Sequence, residues 1–93
     1  MTYEWDTAKA AANLRKHKVS FAEAASVFLD PLALTFDDPD HSEEENREIT
    51  IGVSSKERAL FVSHCFRGDR LRIISARKAT KMEKTQYAEK LSK

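Results

Sequence analysis

The chain has 93 residues, of which 41% are hydrophobic and 33% charged, and 16 Lys/Arg against 15 Asp/Glu leave a formal net charge of +1. This predicts one globular domain over 1–93 and excludes a disordered chain; no apolar run nears the ~20 residues of a membrane helix. The start lacks a signal-peptide pattern, which points to the cytoplasm, and the single cysteine, Cys65, excludes an internal disulfide or a cysteine-built zinc site within one chain.

Tyr3-Glu4-Trp5 reads as a short edge strand. Asp6 is placed to cap a helix over Ala8–Lys16, because its carboxylate accepts amide hydrogens that the first turn leaves unpaired. His17, following Arg15 and Lys16, suits the negative end of that helix. Ser20 and Glu23 make a capping box for a second helix, on which Phe21, Ala24, Ala25 and Phe28 share one face. Asp30-Pro31 ends it, giving an α-hairpin. Leu32–Phe36 then alternates as a strand ahead of the polar loop 37–46. That loop lacks the glycine and the distal glutamate of a calcium-binding loop and reads as a solvated acidic surface, with no metal site.

Arg47–Val53 alternates strictly, with Ile49, Ile51 and Val53 on one face. A turn at Ser54–Glu57 leads into Arg58–Arg67, apolar enough to be central in a sheet and to bury Cys65. Gly68-Asp69 turns the chain into Arg70–Lys78, and Thr80 with Glu83 forms a second capping box for a helix reaching about Leu91. The predicted architecture is β-α-α-β-β-β-β-α. It is an α+β fold with a small antiparallel sheet, an N-terminal α-hairpin and a C-terminal helix.

Charge is divided between the halves. Residues 1–46 hold 4 Lys/Arg against 10 Asp/Glu, and residues 47–93 hold 12 against 5. A basic half of this kind suits a polyanion or an acidic protein partner. On the last strand, alternation puts Leu71, Ile73, Ser75 and Arg77 on one face and Arg70, Arg72, Ile74, Ala76 and Lys78 on the other. Converging guanidiniums repel unless something anionic joins them: either RNA phosphate, gripped by Arg67, Arg70, Arg72, Arg77, Lys78, Lys81 and Lys84, or carboxylates such as Asp69 and Glu83.

His64 is the histidine inside a predicted strand; it is either a proton-transfer group for metal-free RNA cleavage or a hydrogen-bonded core residue. Tyr87 either stacks a base or supplies a proton, or simply anchors the last helix. A hairpin about Gly68-Asp69 pairs 67 with 70 and 64 with about 73, placing Arg77 near residue 60 and roughly 13 Å along the strand from His64.

Several blocks then carry a resemblance: Tyr3-Glu4-Trp5-Asp6, Asn13-Leu14-Arg15-Lys16-His17, Val19-Ser20-Phe21 with Glu23-Ala24-Ala25, Asp30-Pro31-Leu32, Ile51-Gly52, and Arg72 through Thr80. Together they resemble the BrnT family of toxins nearly end to end, with Lys18 where other members have Gly. The resemblance implies a RelE-like fold and a metal-independent ribonuclease that arrests translation on free or ribosome-associated RNA. It also implies a BrnA-like ribbon-helix-helix antitoxin through which the complex reaches DNA, and no cofactor. It places Arg77, Arg67 and Tyr87 at the active surface, and His64 joins them as the fourth candidate from its chemistry. An alternative from another class is a non-catalytic module whose basic face binds an acidic protein.

Overall fold

The computed structural model describes residues 1–40 and 46–91; half of the acidic loop, residues 41–45, lies outside them. The elements follow the predicted order: β1 (Thr2–Glu4), α1 (Thr7–His17), α2 (Phe21–Ser26) with a 3-10 turn (Val27–Leu29), β2 (Leu34–Asp37), β3 (Glu48–Val53), β4 (Ala59–Arg67), β5 (Arg70–Lys78) and α3 (Lys81–Leu91). Both N-terminal caps form as the sequence suggests: Lys9 N donates to Asp6 Oδ1 at 2.9 Å and Glu23 N to Ser20 Oγ at 3.0 Å. Lys18 closes α1 at φ 61°, its amide donating to Leu14 O at 3.0 Å. Its side chain keeps Cβ in a left-handed conformation that glycine adopts without cost.

The strands form a five-stranded sheet in the order β1-β5-β4-β3-β2. The sheet is mixed, because β1 runs parallel to β5 with Thr2 opposite Arg70 and Glu4 opposite Arg72. Sequence alternation shows that a strand exists and leaves its partner open; here two helices intervene before the chain returns, so β1 cannot pair through a hairpin. Val19 from the α1–α2 link, Phe21 and Ala24 of α2 and Val27 of the 3-10 turn pack on Leu60, Val62, Leu71, Ile73 and Ala76 on one face of the sheet. Ile49, Ile51 and Ala79 make a smaller core on the other, with Phe36, Ala59, Phe61 and Tyr87 of α3 against it. Gly52 permits the close seat of the 3-10 turn, since a Cβ there would lie 2.8 Å from Val27 Cγ1.

One correction concerns β5. His64 pairs with Ile73 but Ser63 with Ser75, so Ile74 is an extra residue, a bulge. Beyond it the faces exchange: Ala76, not Ser75, is buried with Leu71 and Ile73, and Ser75 is exposed. Arg77 therefore stands opposite Phe61, not residue 60, on the α3 side with Arg72. No described helix is long and apolar enough to cross a membrane.

Candidate functional site

Two cationic clusters occupy opposite ends of the β4–β5 hairpin. At the turn, Gly68 takes φ +64° and Arg67 stands opposite Arg70. The repulsion expected among these arginines is met by β1: Glu4 accepts from Arg72 Nη1 at 2.8 Å and lies 3.7 Å from Arg70 Nη1. The parallel edge strand thus brings a carboxylate of the acidic half onto the basic strand.

At the other end, Arg77 is held from three sides. Its Cζ lies 3.9 Å over the Phe61 ring. Its Nη1 and Nη2 each donate to one oxygen of Glu83 at 2.8 Å, and Nη1 also reaches Lys78 O at 3.2 Å. Glu83 is itself fixed by a complete capping box, accepting from Thr80 N at 2.8 Å while its own amide donates to Thr80 Oγ1 at 3.2 Å. Hydrogen bonding to Arg77 lowers the Glu83 carboxyl's affinity for protons, and the same contact raises that of Arg77, so both are ionised at neutral pH. Lys78, Lys81 and Lys84 are exposed around this junction, and Lys78 and Lys84 line an open groove with Arg58 and Glu57. From Phe61 to Arg67 the strand advances six residues, roughly 20 Å, so the structure does not bring Arg67 and Arg77 together.

Nor does it bring His64 to either arginine. His64 is 1% exposed, on the face covered by α1 and α2, with its ring 4.8 Å from that of Phe28. Its Nε2 shares a 2.8 Å hydrogen bond with Thr50 Oγ1, which continues at 2.7 Å to Thr35 Oγ1, while Nδ1 has no partner among the described residues. Burial pushes its pKa down to about 4. The folded protein therefore keeps a neutral ring while the unfolded chain protonates near pH 6.5. We expect the stability this contributes to be complete above pH 6.5 and lost as pH falls toward 4, with a limiting slope of about 1.4 kcal/mol per pH unit. Denaturant titrations from pH 7 to 4 check this: His64→Gln should flatten that window, and an unchanged slope would mean that His64 is not its source.

Tyr87 reaches the α3-side core, and its hydroxyl donates to Asp30 Oδ2 at 2.7 Å. Burial, then this hydrogen bond, push its pKa up to about 12. Asp30 also accepts from Val53 N and Leu32 N, both at 2.9 Å, so the tyrosine ties α3 to the end of the α-hairpin. Among the described residues, no group of three or more His, Cys, Asp or Glu side chains is placed to hold a metal ion.

Two residues whose importance sequence reasoning missed organise this framework. Glu23, 4% exposed, does not return to cap Ser20; it accepts from Ser54 Oγ at 2.6 Å and Arg58 Nε at 2.9 Å, with Arg58 Nη2 on its other oxygen. Asn13, 7% exposed, donates to Val19 O and Ala76 O at 2.9 and 2.8 Å and accepts from Ala76 N at 3.1 Å. The only available signal was a polar residue on the apolar side of each helix.

Residues 5–83 match the family model described as the ribonuclease toxin BrnT of a type II toxin-antitoxin system. The chain belongs to the BrnT family. It is thereby a ribonuclease toxin of a type II toxin-antitoxin system, a class that works with a cognate antitoxin. The crystal structure of the Brucella abortus ribonuclease toxin BrnT superposes with a TM-score of 0.68, covering 87% of this chain and 100% of that one at 24% identity, which shows a shared fold. No curated protein sequence matches the chain. The BrnT assignment agrees with the expectation drawn from the sequence blocks, and the α+β architecture agrees with the BrnT structure.

Proposed function

We propose that this BrnT-family toxin cleaves RNA without a metal ion, arrests translation in the cytoplasm as a single 1–93 domain, and is neutralised by a BrnA-like ribbon-helix-helix antitoxin that also carries the complex to DNA. In the reaction, the RNA 2′-oxygen loses its proton and attacks phosphorus, and the bond to the 5′-oxygen breaks. The products are a 2′,3′-cyclic phosphate and a 5′-hydroxyl that has gained a proton. Negative charge grows on the phosphorane oxygens, and a fixed guanidinium there stabilises it most. The observation that carries this reading is Arg77, part-exposed yet immobilised by Phe61 and Glu83 at the head of a helix bearing Lys81 and Lys84. Lys78 and the distant Arg67, Arg70 and Arg72 supply further backbone contacts, while His64 and Tyr87 serve the fold, since their polar atoms face inward.

The test is RNA cleavage by purified toxin in excess chelator. Cleavage should persist, and Arg77→Ala should slow it roughly tenfold or more while leaving a folded protein. Loss of cleavage in chelator would overturn metal independence. Intact RNA with folded wild-type protein would favour a binding module.

A further inference from the structure

Arg77 has five hydrogens to place, and the described residues account for only part of them. Glu83 takes the end of the guanidinium, one oxygen to each Nη, and Lys78 O takes the second Nη1 hydrogen. One face lies on Phe61. Among the described residues, Nε–H and the second Nη2–H have no acceptor. These two point in parallel from one edge of the planar group, with the spacing that two phosphate oxygens accept.

We propose that Glu83 is a positioning residue that clamps Arg77 end-on and so presents the guanidinium's side edge to the scissile phosphodiester. This rests on the reading that Arg77 touches RNA phosphate. The clamp is anchored to backbone: Thr80 N–H holds one Glu83 oxygen, so the carboxylate cannot swing with the arginine. Its consequence is a division of labour. A carboxylate beside a phosphate-binding arginine reduces the net positive charge there, which weakens attraction for RNA. It also removes the freedom of a long side chain, which helps only when the oxygens must meet a fixed fork in the transition state. Glu83 thus raises the rate of cleavage and does nothing for affinity.

Glu83→Gln separates the two, because glutamine still completes a capping box but its amide nitrogen confronts one Nη. Single-turnover cleavage of a short RNA should slow roughly 10- to 100-fold, while binding of the same RNA with 2′-deoxy substitution at the cut is unchanged or tighter. Thr80→Ala, which removes the hydroxyl half of the box but keeps the Thr80 N–H that anchors Glu83, should lower the melting temperature and slow cleavage below it far less than Glu83→Gln does. Glu83→Asp, which draws the charge back by one methylene, should fall between wild type and Glu83→Gln. An unchanged rate in Glu83→Gln would reduce the carboxylate to a cap, and a faster rate would make it a plug in the phosphate seat; either overturns the proposal. Full activity in a folded Arg77→Ala protein would instead remove the reading on which the proposal stands, and the proposal with it.

Discussion

Glu23→Ala is expected to lower stability by about 3–5 kcal/mol, the largest single-residue effect we anticipate. The carboxylate, with its side chain 2% exposed, is sealed between α2 and the β3–β4 turn, where it receives Ser54 Oγ and two nitrogens of Arg58. The hydrogen bonds from Arg58 hold it ionised well below the usual carboxylate range, against the opposing cost of burial. Removing it strands a buried hydroxyl and releases the guanidinium, which also braces Lys18 O at 3.1 Å. For a chain of this length the melting temperature should drop by more than about 12 °C. A drop of only a few degrees would show that the pair is solvated and contributes little. The depressed pKa fixes the sign of the acid response: this contribution is present above the unfolded carboxyl's pKa and disappears as pH falls through the folded one.

Asn13→Ala should cost about 2–4 kcal/mol for a different reason. β1 ends at Glu4, opposite Arg72, so the edge of β5 beyond that point has no strand beside it. The Asn13 carboxamide stands in for the missing peptide, donating to Ala76 O and accepting from Ala76 N. Alanine would leave both backbone groups buried beneath α1 with nothing to bond. Asn13→Asp should do almost as badly, because a carboxylate has no hydrogen for Ala76 O or Val19 O. Amide exchange checks this locally. The Ala76 N–H should lose protection in Asn13→Ala and keep it in Asn13→Asp, whose carboxylate still accepts; protection equal to wild type in Asn13→Ala would mean that something else satisfies it.

These two residues show where the sequence stops being readable. Element order came through because capping boxes, apolar spacing and the Gly68 turn are local signals. The partner of β1 and the bulge at Ile74 did not, because each depends on residues far away in the chain. The alternation Leu71-Ile73-Ser75-Arg77 was a sound inference for a regular strand, and one extra residue reversed its second half. Glu23 was readable as a cap, yet its side chain serves a turn 31 residues later. Among the candidate site residues, burial of His64 could be argued from its strand neighbours Leu60 and Val62. The Arg77–Glu83 fork could be raised only as one of several possible pairings, since no pattern distinguishes a clamped arginine from a solvated one.

Glu4 and Arg72 join across 68 residues, and Asn13 meets Ala76 across 63. Contacts this distant are slow to form, because the chain must close a long loop before any bond repays the lost entropy. A ribosome synthesising this toxin completes the first strand and both early helices long before their partner exists. Until β5 emerges, the helices lack the strand that carries Leu71, Ile73 and Ala76 of their core, and the Arg77–Glu83 fork waits longer still, until the last helix begins. If Arg77 acts on RNA as proposed, the fold delays that activity: the clamped guanidinium is assembled only once the chain through Glu83 has left the machine that is reading an RNA.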